Sequence, residues 1–432
     1  MTLSAVLRSV LRHRRAGFCS HAARVRREGA RGFTLTELMV AMSGGLMISI
    51  SVFLLARQAS RFYQSQAHTA EASITGMIGF ERLRADIARA GFMATPNIRQ
   101  DPIVCAGPTV NLGTAWPTYL NHLQSIWIVP APQVDSYPTG FSASIAAAGL
   151  SPQAIVLAGN YSSPDQYEVR DIEMGAGATN TKVYLALQSV AMRRVGTVAN
   201  DVVSVSNAQI QAIFKPDTAV RIVDPSGRQL YGRVVNAFGG DSPYVELSNS
   251  PQLQTRDTGP GCGISGTGTG ALINPVNIVR YDLRSLATND NYKALYADPS
   301  DADTRVDLIR EELSVDGTPI DSTLELIAEY TVNLDFTLTA AIPGTGRLEE
   351  VGITGWADNT STSSPITGPQ MLRAVGVTLS VRSRDADRAT SSPIDSGPLL
   401  RFGIGPNGKA PYARVRTVSA QVALNNQLGL TW

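Results

Sequence analysis

Histidine and cysteine are scarce in this chain of 432 residues, which contains four of the first and three of the second. Beyond residue 32 only His68 and His122 remain, so few histidines are available for a Ser-His-Asp catalytic triad. Isolated cysteines also supply too few ligands for a structural metal site. We therefore expect neither an enzyme nor a protein with a resident cofactor or metal.

Positive charge is scarce where nucleic-acid binding would need it. Residues 1–32 hold eight arginines and one acid, Glu28, while the remainder holds 29 basic and 35 acidic residues. Without that leader the net charge is −6, and no basic patch remains to attract phosphates. We therefore predict no nucleic-acid partner.

An apolar run over residues 33–56 contains a single charged residue, Glu37. Its length suits a helix that crosses a bilayer once, and the arginines before it would keep that end in the cytoplasm. A carboxylate at membrane depth is costly unless it meets a partner, so Glu37 is by default a functional residue. Cleavage after Gly32 would create a suitable partner, the free amine of Phe33.

The junction between leader and apolar run resembles a known motif. Residues 31–37 read Arg-Gly-Phe-Thr-Leu-Thr-Glu, which is similar to the processing site of type IV prepilins and pseudopilins. The resemblance implies cleavage between Gly32 and Phe33 by a prepilin peptidase and N-methylation of Phe33. It also implies that Glu37 pairs with the N-terminal amine of a neighbouring subunit. The alternative is an ordinary signal anchor in which the motif is coincidental.

The same resemblance implies a location and a set of partners. The protein would first lie in the bacterial inner membrane as a single-pass protein with a cytoplasmic N-terminus. It would then enter a pilus that runs from the periplasm to the cell surface. The implied partners are the peptidase, an inner-membrane assembly platform, other minor and major pilins and, in relatives, a large tip adhesin.

Cleavage after Gly32 would remove Cys19 and leave an even pair, Cys105 and Cys262. Both lie in a part predicted to be outside the membrane, where oxidising conditions favour a disulfide. Two unpaired thiols are the alternative, because sequence cannot show whether the two Cα atoms come within bonding range.

Helical periodicity continues past the apolar run. Apolar residues recur at steps of three and four over residues 59–87, and no proline occurs in residues 33–95. Gly91 stands where a C-cap glycine would end a helix. We predict one helix within residues 33–91, with its weakest point at Gly44-Gly45.

Two groups of charged residues are interpreted as surface features. The first consists of polar residues near the end of the predicted helix, Glu81, Arg82, Arg84 and Asp86. We expect them on its solvent-exposed face, in local ion pairs. The second consists of Asp298, Asp301 and Asp303. A solvated turn is favoured over a calcium site there, because the spacing does not match an EF-hand loop.

From Phe92 onward, short β-branched runs are separated by Gly, Pro, Asn, Asp and Ser, which predicts a β-rich head. The fold class is therefore α+β, with a long N-terminal helix whose first half spans the membrane and a large pilin-like head. A head of about 340 residues exceeds the usual size of one hydrophobic core and could form two β lobes, with a seam near residues 256–271. The predicted strands are 125–129, 154–158, 182–187, 277–283, 326–338, 374–382 and 413–424, with a hairpin over 219–235.

The chain thus divides into a cleaved leader (1–32), a helical segment (33–91) and a β-rich head (92–432). A second resemblance narrows the family to PilW-type minor pilins, since residues 84–92 carry a similar Arg-x-Asp-Ile-x-x-Ala-Gly-Phe pattern. Weaker similarities lie at residues 328–335, 372–383 and 417–426.

The resemblance implies a minor pilin of a type IV pilus that primes assembly near the fibre tip and supports adhesion or motility. Two alternatives remain open. One is a minor pseudopilin of type II secretion, and the other is a pilus-tip adhesin whose head binds a ligand.

Overall fold

The computed structural model describes residues 33–98, 101–105, 123–175, 179–249, 253–255, 262–342, 344–352, 368–387 and 401–430. The predicted leader with Gly32 lies outside these ranges, as does His122. The chain divides into two compact units, Met1–Tyr63 and Gln64–Trp432. Helix α1 (Leu35–Ala88) contributes residues to both units.

Helix α1 is continuous over 54 residues, as its periodicity predicted, and it is not interrupted at Gly44 or Gly45. The chain leaves the helix at Gly91, whose φ of +72° lies in the left-handed region that glycine adopts without strain. The backbone N–H of Gly91 donates to the carbonyl oxygen of Ala158 at 2.9 Å. This bond fixes the end of the helical segment to the β-rich body.

Only the last turns of α1 are buried in the larger unit. Phe80, Leu83 and Ile87 are at most 4% exposed. Ile74 and Met77 belong to the same periodic series but are 60% and 58% exposed. The amphipathic pattern therefore predicted a longer buried face than the body covers.

Seventeen strands and four further α-helices lie in the described residues. The helices are α2 (Thr139–Ala147), α3 (Val190–Val195), α4 (Asn207–Ile213) and α5 (Pro299–Ala302). The first nine strands are β1 (Ile126–Pro130), β2 (Gln153–Gly159), β3 (Tyr167–Glu173), β4 (Thr181–Leu185), β5 (Thr197–Ala199), β6 (Val202–Ser204), β7 (Ala219–Val223), β8 (Gln229–Phe238) and β9 (Tyr244–Leu247). The others are β10 (Leu272–Arg284), β11 (Asp307–Leu313), β12 (Glu325–Ala328), β13 (Thr331–Ala341), β14 (Leu348–Val351), β15 (Leu372–Asp387), β16 (Arg401–Gly403) and β17 (Tyr412–Ala423).

Six of these strands close into an antiparallel barrel. Their hydrogen-bonded order is β10-β3-β4-β9-β8-β7, and β7 pairs back onto β10. The barrel core contains fully buried side chains that alternate along the strands, including Tyr167, Val183, Leu185, Val245 and Leu247. Closure pairs both sides of each strand, so this part of the fold has few free backbone groups.

A second core lies between two five-stranded arrays. The C-terminal half of β10 extends beyond the barrel and is the central strand of the first array, which has the order β1-β2-β10-β11-β12. The second array is a separate sheet with the order β14-β13-β15-β17-β16. One hydrophobic cluster includes Leu83 of α1, Tyr281 of β10 and Phe336 of β13. The helix and both arrays therefore share this core.

The two largest hydrophobic cores do not meet at the predicted seam. The barrel core and the core beneath α1 are separate clusters, yet residues 64–432 form one compact unit. The strand that joins the two cores is β10, whose 13 residues are long enough to pair with the barrel at one end and the open sheet at the other. The division between these two cores therefore falls within β10, which lies after the predicted seam.

The predicted strands coincide with observed strands with one exception, whereas seven strands of the structure have no counterpart in the predictions, namely β3, β5, β6, β9, β11, β14 and β16. The predicted hairpin is β7–β8, in which Oδ1 of Asp224 accepts hydrogen bonds from the backbone N–H groups of Ser226 and Arg228. The single strand predicted over residues 326–338 is two strands, β12 and β13. The chain turns between them at Tyr330, whose φ is +53°.

Asp282 on β10 is fully buried. Its Oδ2 accepts a hydrogen bond from the backbone N–H of Gln133 at 3.1 Å, whereas Oδ1 has no hydrogen-bond partner in the described part of the chain. Burial raises the pKa of Asp282 to about 6, against the opposing effect of Arg280 and Arg284. Between about pH 4 and pH 6, the carboxyl group of Asp282 is therefore protonated in the folded protein and ionised in the unfolded chain.

We predict that Asp282→Asn stabilises the protein at neutral pH. The raised pKa means that wild-type stability falls as pH rises from about 4 to about 6, and the penalty above that window is on the order of 3 kcal/mol. Guanidinium unfolding of the detergent-solubilised chain should show a gap between variant and wild type that opens across this window. Asp241→Asn, at an exposed position, serves as the control, and an equal gap at pH 4 and pH 7 would contradict the assignment.

Candidate functional site on helix α1

The first part of α1 is an apolar, uncovered helix. Residues Leu35–Ser60 have a mean hydropathy of 2.2 over the best window, and none of that window is buried. At 1.5 Å per residue the segment is about 39 Å long, which is enough to cross a bilayer. Signal sequences also meet this criterion of length and composition, so it supports a membrane-spanning helix without proving one.

Glu37 closes a capping box at the start of this helix. Its Oε2 accepts hydrogen bonds from the backbone N–H and the hydroxyl of Thr34, both at 3.0 Å. The Thr34 hydroxyl accepts in return from the backbone N–H of Glu37 at 3.3 Å. These bonds satisfy N–H groups that the first turn of a helix otherwise leaves unpaired.

The capping box is a local role for Glu37 that the Thr-x-x-Glu spacing could have predicted. Both hydrogen bonds to the carboxylate use Oε2, so Oε1 receives none from the described residues. Capping and pairing with an amine are therefore compatible for one carboxylate. They differ in a testable way, because a cap needs only an acceptor whereas pairing with an ammonium needs the negative charge.

Asp86 corrects the prediction of a solvent-exposed face near the end of α1. Its carboxylate is 4% exposed and accepts hydrogen bonds from Nε of Arg310 and from the hydroxyl of Tyr281, both at 2.8 Å. Helical spacing places Asp86 beside Leu83 and Ile87, so the packing that buries those residues also buries the acid. Glu81, Arg82 and Arg84 remain at the surface, as expected.

The C-terminal end of α1 is capped by a residue distant in sequence. The side-chain amide of Asn426 donates to the backbone carbonyl of Ala90 at 3.1 Å. The hydroxyl of Tyr161 donates to the carbonyl of Asp86 at 3.0 Å. Carbonyls of the last helical turn and of the residues that follow it thus gain hydrogen bonds from the body. The motif at residues 84–92 coincides with this attachment.

The structure contains the predicted disulfide between Cys105 and Cys262, with 5.2 Å between their Cα atoms. The backbone N–H of Cys105 donates to the carbonyl of Gln229 at the start of β8. Cys105 belongs to the barrel core, and Cys262 packs against it. The bond therefore ties two connecting segments to the barrel.

The acids near residue 300 join neighbouring elements instead of forming a free turn. Asp301 accepts a hydrogen bond from the hydroxyl of Tyr330 at 2.7 Å and lies 3.3 Å from Nη2 of Arg382. Asp303 accepts from the backbone N–H of Gly140 at 3.1 Å. No group of three or more potential metal-ligating side chains occurs in the described ranges. The carboxylates of Asp301 and Asp303 are thus bonded to protein groups.

Comparisons with models of known protein families, with curated proteins and with solved structures found no match for this chain.

We predict that Asp86→Leu strongly destabilises the protein. The substitution removes the acceptor of Arg310 Nε and of the Tyr281 hydroxyl and leaves the half-exposed Glu325, 3.7 Å from Nη1, as the remaining ion-pair partner of Arg310, at a cost of about 3–5 kcal/mol. Guanidinium unfolding should show this loss, whereas Glu81→Leu on the exposed side should change stability by about 1 kcal/mol or less. The double variant Asp86→Leu/Arg310→Leu should recover part of the loss, and a loss larger than the single variant's would contradict the pairing.

Proposed function

We propose that this protein is a minor pilin of a type IV pilus, which assembles near the fibre tip and primes fibre formation. The observation that carries the proposal is an exposed apolar helix that begins just after the Arg-Gly-Phe motif. Glu37 is the only charged residue in the first part of this helix. A lone carboxylate in such a helix calls for a cationic partner. The new N-terminal amine of a processed neighbour is such a partner.

In this proposal α1 has two successive environments. The segment Leu35–Ser60 first holds the protein in the inner membrane, with the arginine-rich leader on the cytoplasmic side. After cleavage at Gly32 and methylation of Phe33, the same apolar surface is buried among the helices of other pilins. Oε1 of Glu37 then meets the amine of a neighbouring subunit while Oε2 keeps its cap with Thr34.

The body fits an extracytoplasmic location. A disulfide such as Cys105–Cys262 persists in the periplasm or outside the cell and is rare in the cytosol. Attachment of α1 through Asp86, Gly91 and Asn426 coincides with two of the segments that resemble PilW-type pilins. Pseudopilin heads are usually smaller than residues 92–432, which favours a pilus over a secretion system.

We predict that Glu37→Gln, which keeps an acceptor for Thr34 but removes the charge, is still processed yet enters fibres poorly. Loss of a charge pair worth on the order of 1–2 kcal/mol corresponds to about a tenfold drop in incorporation. The measurement is an immunoblot of sheared fibres against membranes. Glu37→Val should behave similarly.

Thr34→Val is the matched control, because it removes the capping hydroxyl and leaves the carboxylate charge in place. It should enter fibres at close to the wild-type level. Normal incorporation of Glu37→Gln together with poor incorporation of Thr34→Val would show that capping, and not pairing, is what assembly requires.

We predict that Gly32→Leu blocks processing, since a bulky residue cannot take the position of glycine at the cleavage site. A gel should show the precursor with its leader retained and the protein confined to membranes. N-terminal sequencing of the wild type from sheared fibres should begin at Phe33 with a methylated amine. An uncleaved N-terminus in fibres would refute the proposed function.

A further inference from the structure

Lys215, Asn277 and Glu312 meet at a place in the body that the proposed function does not use. Nζ of Lys215 lies 2.7 Å from Oε1 of Glu312. The side-chain amide of Asn277 donates to Oε2 of the same carboxylate at 3.2 Å. Both Asn277 and Glu312 are buried. One buried carboxylate therefore holds an amine and a carboxamide beside each other.

Three segments that are distant in the chain bring these side chains together. Asn277 and Glu312 lie on the paired strands β10 and β11, in which Val279 is opposite Glu312. Asn277 is two residues from Val279, so its side chain is a diagonal neighbour of Glu312 on the same face. Lys215 lies between α4 and β7, and its carbonyl accepts a hydrogen bond from the hydroxyl of Thr218 at 2.7 Å. The backbone that carries the amine is thus held in place.

Three donors surround the side-chain carbonyl oxygen of Asn277. Its Oδ1 accepts from the backbone N–H groups of Tyr161 and Ser162, both at 3.1 Å, and from the Ser162 hydroxyl at 2.9 Å. Such donors polarise the carboxamide and stabilise negative charge that develops on its oxygen when a nucleophile adds to the carbon. The arrangement is that of an oxyanion hole.

The surroundings of Lys215 differ from those of the other ion-paired lysines among the described residues. Lys182 and Lys293 pair with carboxylates whose side chains are 59% and 90% exposed, whereas the side chain of Glu312 is 9% exposed. Neither of those exposed carboxylates accepts a hydrogen bond from a carboxamide in the described ranges. Glu312 has little contact with water, so a proton that it takes from one neighbour passes to the other.

We propose that Lys215 and Asn277 form an intramolecular isopeptide bond, with Glu312 as the proton carrier. Glu312 takes a proton from the Lys215 ammonium, and the neutral Nζ attacks Cγ of Asn277. The negative charge that develops on Oδ1 is stabilised by its three donors. The bond from Cγ to Nδ2 then breaks, while Glu312 relays two protons in turn from Nζ to the leaving nitrogen. The products are a secondary amide and an ammonium ion, so the step needs no external reactant.

The isopeptide bond joins the connection before β7 to the middle of β10, the strand that the barrel shares with the open sheet. A link between distant residues restricts the unfolded chain, as a disulfide does. Unlike the disulfide, an amide is not broken by thiol reductants. The reaction involves neither Glu37 nor the apolar helix, so it does not rest on the proposed function.

Mass spectrometry of the full chain tests the proposal after purification in detergent, reduction, alkylation and digestion with trypsin. Without the bond, the digest contains separate linear peptides of residues 195–221 and 257–280. With the bond, one branched peptide replaces both and is lighter than their sum by the mass of one ammonia. Fragmentation should locate the branch at Lys215 and Asn277. Two linear peptides of full mass would overturn the proposal.

Two variants separate the amine from the proton carrier. Lys215→Arg keeps a cation beside Glu312 but has no primary amine, so its digest should contain only the linear peptides. Glu312→Gln cannot take a proton and should form the branched peptide at least about a hundredfold more slowly. Lys182→Arg, in an exposed ion pair, is the matched control and should branch as the wild type does. Loss of ammonia that persists in Lys215→Arg would identify a cyclised asparagine and overturn the proposal.

Ser162→Ala examines the oxyanion hole, because it removes one of the donors to Oδ1 of Asn277 and leaves the two backbone N–H groups. Pulse labelling with samples taken over time should show branching slowed by about a hundredfold. Equal rates in Ser162→Ala and the wild type would contradict the role assigned to the hydroxyl.

Discussion

The buried pair between Asp86 and Arg310 is the interaction on which the attachment of α1 depends. The arginine stem lies on β11 and the acid on the helix, so one ion pair joins elements more than two hundred residues apart in the chain. Two charges in an apolar core are stable only when each has its partner, and Tyr281 supplies a further donor to the carboxylate. The helix end is thereby held in one position relative to the larger unit's sheets. Gly91 and Asn426 then complete the hydrogen bonding of its last turn.

A second constraint is how the backbone N–H and C=O groups at the edges of the sheets are paired. The barrel satisfies its backbone groups by closure, whereas the described strands of the sheet containing β13, β15 and β17 form an open order that ends at β14 and β16. Its two ends differ in chemistry, since β14 carries adjacent carboxylates and β16 carries a single arginine.

Under the proposed function, Glu37 would meet a local and an intermolecular requirement with one side chain. The carboxylate has two oxygens, and the capping box occupies one of them. The helix start is therefore well formed before any neighbour is present. An ammonium from another subunit would meet an acceptor that its own helix already holds in place, so little side-chain entropy is lost on pairing.

The sequence by itself determined the long apolar helix, most of the strands, the β7–β8 hairpin and the cysteine pair available for a disulfide. Helical and strand periodicities and turn residues act over a few neighbours, so they can be read along the chain. Only the tertiary structure decided that Asp86 is buried, that the two cores meet within β10, that the chain turns at Tyr330, and that β16 pairs with the first residues of β17. Each of these depends on which distant segments lie side by side, and local periodicity contains no information about that.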